Sequence, residues 1–271
     1  MMRACGELWA FFWRDLLIAR TYRTVFVVEI VEALFGVAMF YYVARFVDSP
    51  QLEHALPAGG GYFAFSLIGF VFLDYLNAAM DAFDRSLEEA RDAGTLEHLL
   101  VTQTSLPVLL AGSAAYPFAV SAVRIGVYIT WGAMLFRFPL HEANWLAVTA
   151  VLVATFLAFS GFGILSASYL LLFKRGNPAK WFFLSVSGVV GGMLFPVGVL
   201  PDWLQVVAKL NPVTYALEAM RGALLAGEGW GPVWKPLLVL LVFAAVLLPL
   251  AMLIFAWALR RTKATGTLMH R

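Results

Sequence analysis

Five polar residues sit inside long apolar runs, where a chain should carry none without a reason. Glu29 and Glu32 lie about one helical turn apart, Asp74 and Asn77 repeat that spacing, and Arg124 follows. A charge at membrane depth costs roughly 2.5–3.5 kcal/mol on insertion scales unless it is paired or wetted. Three solutions stay open. The residues face a polar path or tie spans that move, they form static ion pairs such as Arg124 with a first- or second-span acid, or they relay protons in a self-contained carrier.

A second concentration of charge reads DAFDRSLEEARDAGTLEHLLVTQT over residues 81–104. It holds six acids (Asp81, Asp84, Glu88, Glu89, Asp92 and Glu97) and two arginines between apolar spans. Such a segment is expected to leave the bilayer and to offer a small docking surface. Leu96, Leu99 and Leu100 recur at helical spacing, Gly94 permits a tight turn, and Thr95 is placed to cap a short helix. A short amphipathic helix of this kind suits a groove on a partner. The alternative is that the leucines pack on this chain's own spans and the charges are solvated.

The surrounding elements follow from composition. The chain is 62% hydrophobic and 13% charged, with mean hydropathy +0.81, against about half apolar and a quarter charged for a soluble domain. That predicts an all-α integral membrane protein, because only helices or closed barrels satisfy every backbone group in lipid. One transmembrane domain covers 1–271. Six spans are predicted, at about 24–46, 59–80, 106–136, 144–173, 181–199 and 236–259. Before them, residues 5–22 are two-faced and rich in tryptophan, which predicts a helix lying in the membrane interface.

With both termini in the cytoplasm, thirteen basic residues fall inside and five outside, as the positive-inside rule prefers. The charged segment 81–105 is then cytoplasmic, and 200–235 is external. Pro201 and Asn211-Pro212 punctuate that outer stretch into two short helices, about 202–209 and 213–226, which predicts re-entrant or lid-like elements. Glu218 and Arg221, three apart on one helix, are placed to pair. Gly188, Gly191 and Gly192 predict a close helix contact, within one chain or between two copies. Phe35, Met39, Phe183 and Phe195 are candidates to line a cavity at a dimer seam.

Enzyme chemistry has little to stand on. No lysine is followed by Ser or Thr: the five are followed by Arg175, Trp181, Leu210, Pro236 and Ala264, so there is no P-loop. The single cysteine, Cys5, and four scattered histidines suggest no metal site. A net charge of +2 gives no case for nucleic acid.

Two stretches resemble the permease subunits of bacterial ABC-2-type ATP-binding-cassette transporters. Within Glu88–Thr102 (Glu88, Glu89 and Arg91 lead into it), the residues Gly94, Thr95, Leu96, Glu97, Leu99, Leu100 and Thr102 resemble the family's G-T-L-E-x-L-L-x-T-P segment, with Gln103 in place of the proline. Within Phe195–Leu225, the set Phe195, Pro196, Pro201, Trp203, Asn211, Pro212, Tyr215, Glu218 and Arg221 resembles the F-P…L-P-x-W-L…N-P-x-T-Y…R region before the last span. The resemblance implies a permease that pairs with a second copy of itself as a homodimer and binds two separate ATPase subunits. It implies ATP and Mg²⁺ on those partners and no cofactor in this chain. It also implies that the first stretch couples to the ATPase and the second gates the outer face. The expected cargo is an amphipathic small molecule, drug or lipid, with polysaccharide or glycolipid export as the alternative. The cell's cytoplasmic membrane is the expected location.

Overall fold

A computed structural model describes residues 2–21, 23–47, 61–92, 106–136, 143–173, 178–225 and 229–264, with Leu56, Phe138 and Leu140 singly. Among these residues there are α-helices and no strands. The helices are α1 (Met2–Thr21), α2 (Arg23–Val47), α3 (Gly61–Asp92), α4 (Leu106–Phe136), α5 (Trp145–Phe173), α6 (Pro178–Val190), α7 (Asp202–Leu210), α8 (Pro212–Leu225) and α9 (Trp230–Ala264). A short 3₁₀ turn, Val197–Val199, precedes α7.

Among the described residues, five helices are long and apolar enough to cross a membrane: Val27–Val47, Gly61–Glu88, Leu110–Phe136, Trp145–Phe173 and Val233–Thr262. The span expected at 181–199 differs. Its helix, α6, has 13 residues and stops at Val190. At 1.5 Å per residue that is about 20 Å, short of a hydrocarbon core of about 30 Å.

Packing registers fix the helix directions. Gly36 of α2 meets Phe70 of α3, and Gly132 of α4 meets Leu67 of α3. Together with Arg124 bonding to Asp74, these registers make α2 and α4 antiparallel to α3. Gly163 of α5 packs on Ala79, Met80 and Phe83, while Gly161 packs on Leu247 of α9. With Tyr75 donating to the Leu152 carbonyl, α5 runs parallel to α3; with Asn144 bonded to Ala223 and Gly222 meeting Val233 at the other end, α9 runs parallel to α5. Lys180 meets Asp84, and Met193 meets Gly69, so α6 runs against α3. The lower end of the bundle therefore holds the end of α3 and the starts of α4 and α6. Its upper end holds the starts of α3 and α5.

Burial grades outward from α3 and α5, whose long buried faces form the centre with most of α8. α2 and α9 are mostly exposed. α1 lies against the lower part of α4, where Phe12 meets Tyr116 at 6.1 Å between ring centroids. Trp9 and Trp13 stay exposed. Proline is accommodated inside helices at Pro117 in α4 and at Pro236 and Pro249 in α9.

The contact between α3 and the segment after α6 leaves no room at Gly69, because an added Cβ would strike the Met193 backbone carbonyl. Overpacking of a tight core typically costs about 1–3 kcal/mol. Gly69→Ala is therefore expected to lower the Tm of the detergent-solubilised protein. Gly222→Ala, which meets only an ordinary contact with Val233, should not. Equal melting of the two variants would contradict this packing.

Candidate functional site

Three polar centres stand out. In the first, the Arg124 guanidinium joins α4 to both α2 and α3. Its Nη2 donates to Glu29 Oε1 at 2.7 Å, and its Nη1 donates to Asp74 Oδ2 at 3.1 Å and Oδ1 at 3.3 Å. The three side chains keep 28%, 27% and 31% of their surface exposed, so the cluster sits at the edge of the bundle and not in its dry centre. Glu32 stands exposed on α2 and takes no part in these bonds. Asn77 donates to the Leu73 carbonyl of its own helix at 2.9 Å. Of the five intramembrane polar residues, the fold thus gathers three.

The second centre lies at the lower end and was not legible as a site. α3 does not end near residue 80; it continues to Asp92. Its apolar stripe continues through Ala82 and Phe83, which are buried, and that stripe was the available signal. Asp81 and Asp84 are consequently drawn against the bundle. Lys180 of α6 pairs with Asp81, and with Asp84 Oδ2 at 3.4 Å. Ser166 of α5 donates to the same Asp84 oxygen at 2.5 Å. Of the six acids of 81–104, Asp81 and Asp84 are thus engaged within the fold; neither belongs to the Glu88–Thr102 stretch expected to dock. Glu88 is exposed on α3, and Glu89 and Arg91 lie in its last turn. Gly94, Thr95, Leu96, Glu97, Leu99, Leu100 and Thr102 lie outside the described residues.

The third centre is the upper segment 191–225. Two short helices form there, as the proline and asparagine punctuation predicts. Pro201 precedes α7, and Pro212 opens α8, where its missing N–H costs nothing. Asn211 joins three elements. Its Oδ1 accepts from the Val213 N–H at 3.1 Å, its Nδ2 donates to Ser187 Oγ at 3.1 Å, and its own N–H donates to the Ala208 carbonyl at 3.0 Å. Tyr215 Oη donates to the Lys209 carbonyl at 2.8 Å, closing the α7–α8 corner.

Arg221 is buried and does not pair with Glu218, which is exposed on α8. That corrects the expected local ion pair. The guanidinium instead donates to the carbonyls of Gly192 (2.9 Å), Met193 (3.1 Å) and Phe65 (3.1 Å), and stacks 3.5 Å from the Phe65 ring centroid. Gly192 takes φ +78°, a left-handed conformation open to glycine, which turns its carbonyl and the next toward Arg221. Gly191 packs on Val213 of α8, so this glycine contact is within one chain, while Gly188 meets open space. Phe195, Trp203, Phe35 and Met39 are exposed. Phe183 stacks on Phe162 at 4.4 Å. Pro196 is buried before the 3₁₀ turn.

Among the described residues no group of three acidic, histidine or cysteine side chains could hold a metal ion. Long apolar helices, an ion-pair cluster within the bundle and a segmented upper end describe a multi-pass membrane protein. A model of the ABC-2 type transporter family matches residues 6–225, and the chain belongs to that family. It is 26% identical over 163 residues to the inner membrane transport permease YadH of Escherichia coli K12, covering 60% of this chain and 63% of that one. It is 25% identical over 160 residues to the protein named "Probable multidrug ABC transporter permease YbhR" of the same organism, covering 59% and 43%. The linearmycin resistance permease protein LnrN of Bacillus subtilis is 25% identical over 185 residues, covering 67% and 45%. The matched region thus spans less than two thirds of each of these relatives.

Proposed function

We propose that this chain is the permease subunit of an ATP-driven exporter, working as a pair of copies and energised by two separate ATPase subunits. The observation that carries this reading is the family match over residues 6–225. The course of α3 supports it: the helix outruns its apolar window, which ends at Glu88, and delivers an exposed acid toward the segment 94–102. We assign that segment, with Glu88, Glu89 and Arg91, to ATPase docking. ATP and Mg²⁺ then belong to the partner.

Six crossings are the reading of topology that fits best. Lys180 stands at the lower end beside Asp84, whereas Ala223 accepts from the Asn144 N–H at the upper end. The stretch from α6 to α8 therefore carries the chain from one end to the other, with α7 and α8 as re-entrant elements of the outer leaf. Both termini are then cytoplasmic, in the cytoplasmic membrane. An amphipathic drug-like molecule or lipid is the proposed cargo, in keeping with relatives named for multidrug transport and linearmycin resistance.

Co-purification of the tagged full chain tests this reading. A captured cytoplasmic protein with ATPase activity is the expected result. Gly94→Glu combined with Leu96→Glu should reduce that capture at least tenfold while leaving membrane insertion intact. Undiminished capture would reject the docking assignment. Transport driven by a proton gradient, and indifferent to ATP and to any partner, would reject the energisation.

A further inference from the structure

We propose that Lys180 is a positioning residue that locks α6 to α3 at the lower end, so that the two helices move as one body carrying the upper helix pair. α6 is short, and its apolar side chains Trp181, Phe182 and Val189 are exposed. Its apolar packing runs through Phe183, on Phe162 and Phe159 of α5, with Leu184 against the core and Val190 buried at its end. Polar ties at its two ends add to that packing.

At the lower end Lys180 reaches Asp81 and Asp84 of α3, and Ser166 of α5 orients Asp84. At the upper end Ser187 accepts from Asn211, and the carbonyls of Gly192 and Met193 accept from Arg221. Arg221 also bonds to Phe65 of α3. The same pair of helices is therefore pinned twice, about ten helical residues apart along α6, or roughly 15 Å. A helix held at one end can swing. A helix held at both must follow its partner. The segment that leaves α3 toward residues 94–102 begins eight residues beyond Asp84, so displacement there reaches α7 and α8 through this body without being absorbed by bending. That last step rests on the proposed ATPase docking; the lock itself does not.

Amide hydrogen exchange on the full chain in phosphatidylcholine vesicles tests the lock without any partner. Lys180→Met should speed exchange at least tenfold across all of α6 and onward through 191–199, as one cooperative unit, with α5 and α9 unchanged. Lys180→Arg, which keeps a cationic donor, should stay within about twofold of the parent. Acceleration confined to the first turn of α6, or absent, would overturn the proposal. If Lys180→Met does not insert, Asp81→Asn takes its place. It keeps Lys180 beside Asp84, and the same pattern should appear at smaller amplitude; its absence would be equally fatal.

A second measurement uses the captured ATPase. With Cys5→Ser and Trp203→Cys, labelling by an impermeant maleimide should change on adding ATP when Lys180 is present, and not in Lys180→Met. A response that persists in Lys180→Met overturns the lock. No response in either protein counts against ATPase energisation, and the exchange result still decides the lock.

Discussion

Arg221→Met is expected to detach the upper helix pair and to lower stability by roughly 3 kcal/mol. The reasoning starts from acceptors. The Phe65 carbonyl lies inside α3, where the helix ladder also serves it. The carbonyls of Gly192 and Met193 lie past the end of α6, beyond any helix ladder of their own, and Arg221 supplies donors to both. Each buried acceptor left without a donor costs about 1–3 kcal/mol. Removing the guanidinium also removes its own desolvation cost, which offsets part of that loss.

Lysine is not an adequate substitute, because one ammonium cannot fan out to carbonyls on two chain segments as a planar guanidinium does. Arg221→Lys should therefore melt between the parent and Arg221→Met. Glu218→Gln should change stability by less than about 0.5 kcal/mol, as exposed substitutions outside a network do. Thermal unfolding in detergent, with proteolysis at residues 197–210 as a local probe, reads all three. Melting of Arg221→Met with the parent would show that the upper segment is held by other contacts.

Arg221 also shows why some of the site was legible and some was not. The positions of α7 and α8 could be read because Pro201, Asn211 and Pro212 act locally, through backbone angles and a capping side chain. The partner of Arg221 could not. Glu218, three residues away, looked sufficient, but the real acceptors are backbone carbonyls freed by a chain break whose location depends on how α6 ends. The same holds for Lys180. Its partners Asp81 and Asp84 lie far away in sequence, and they are drawn to it because the apolar stripe of α3 outlasts its apolar composition. The end of α6 at Val190 is hidden from hydropathy for a related reason. Residues 181–199 are largely apolar, and hydropathy does not register that Gly191 and Gly192 let the chain turn out of the helix. What sequence did carry well was the set of five long helices, where twenty or more apolar residues leave lipid-spanning helices as the simplest solution.

Arg124→Leu carries the other large expected effect. It would leave Glu29 and Asp74 near one another within the bundle with no cation between them. Breaking a buried pair on one side costs about 3–5 kcal/mol, and the residual exposure of all three side chains puts this cluster near 3. The informative comparison is the triple variant Arg124→Leu, Glu29→Gln, Asp74→Asn. Replacing a whole ion-pair cluster by neutral groups is often close to neutral for stability, so the triple variant is expected to recover to within about 1 kcal/mol of the parent. A static tie between α2, α3 and α4 predicts that nucleotide-dependent transport recovers with it. Stability restored without transport would instead place Arg124 and its two acids on the path itself. Glu32 then becomes the next residue to test, because it already stands exposed on α2 without joining the cluster. A single variant cannot make this distinction, since Arg124→Leu fails under either account. The recovery of the triple variant separates a charge needed for folding from a charge needed for passage.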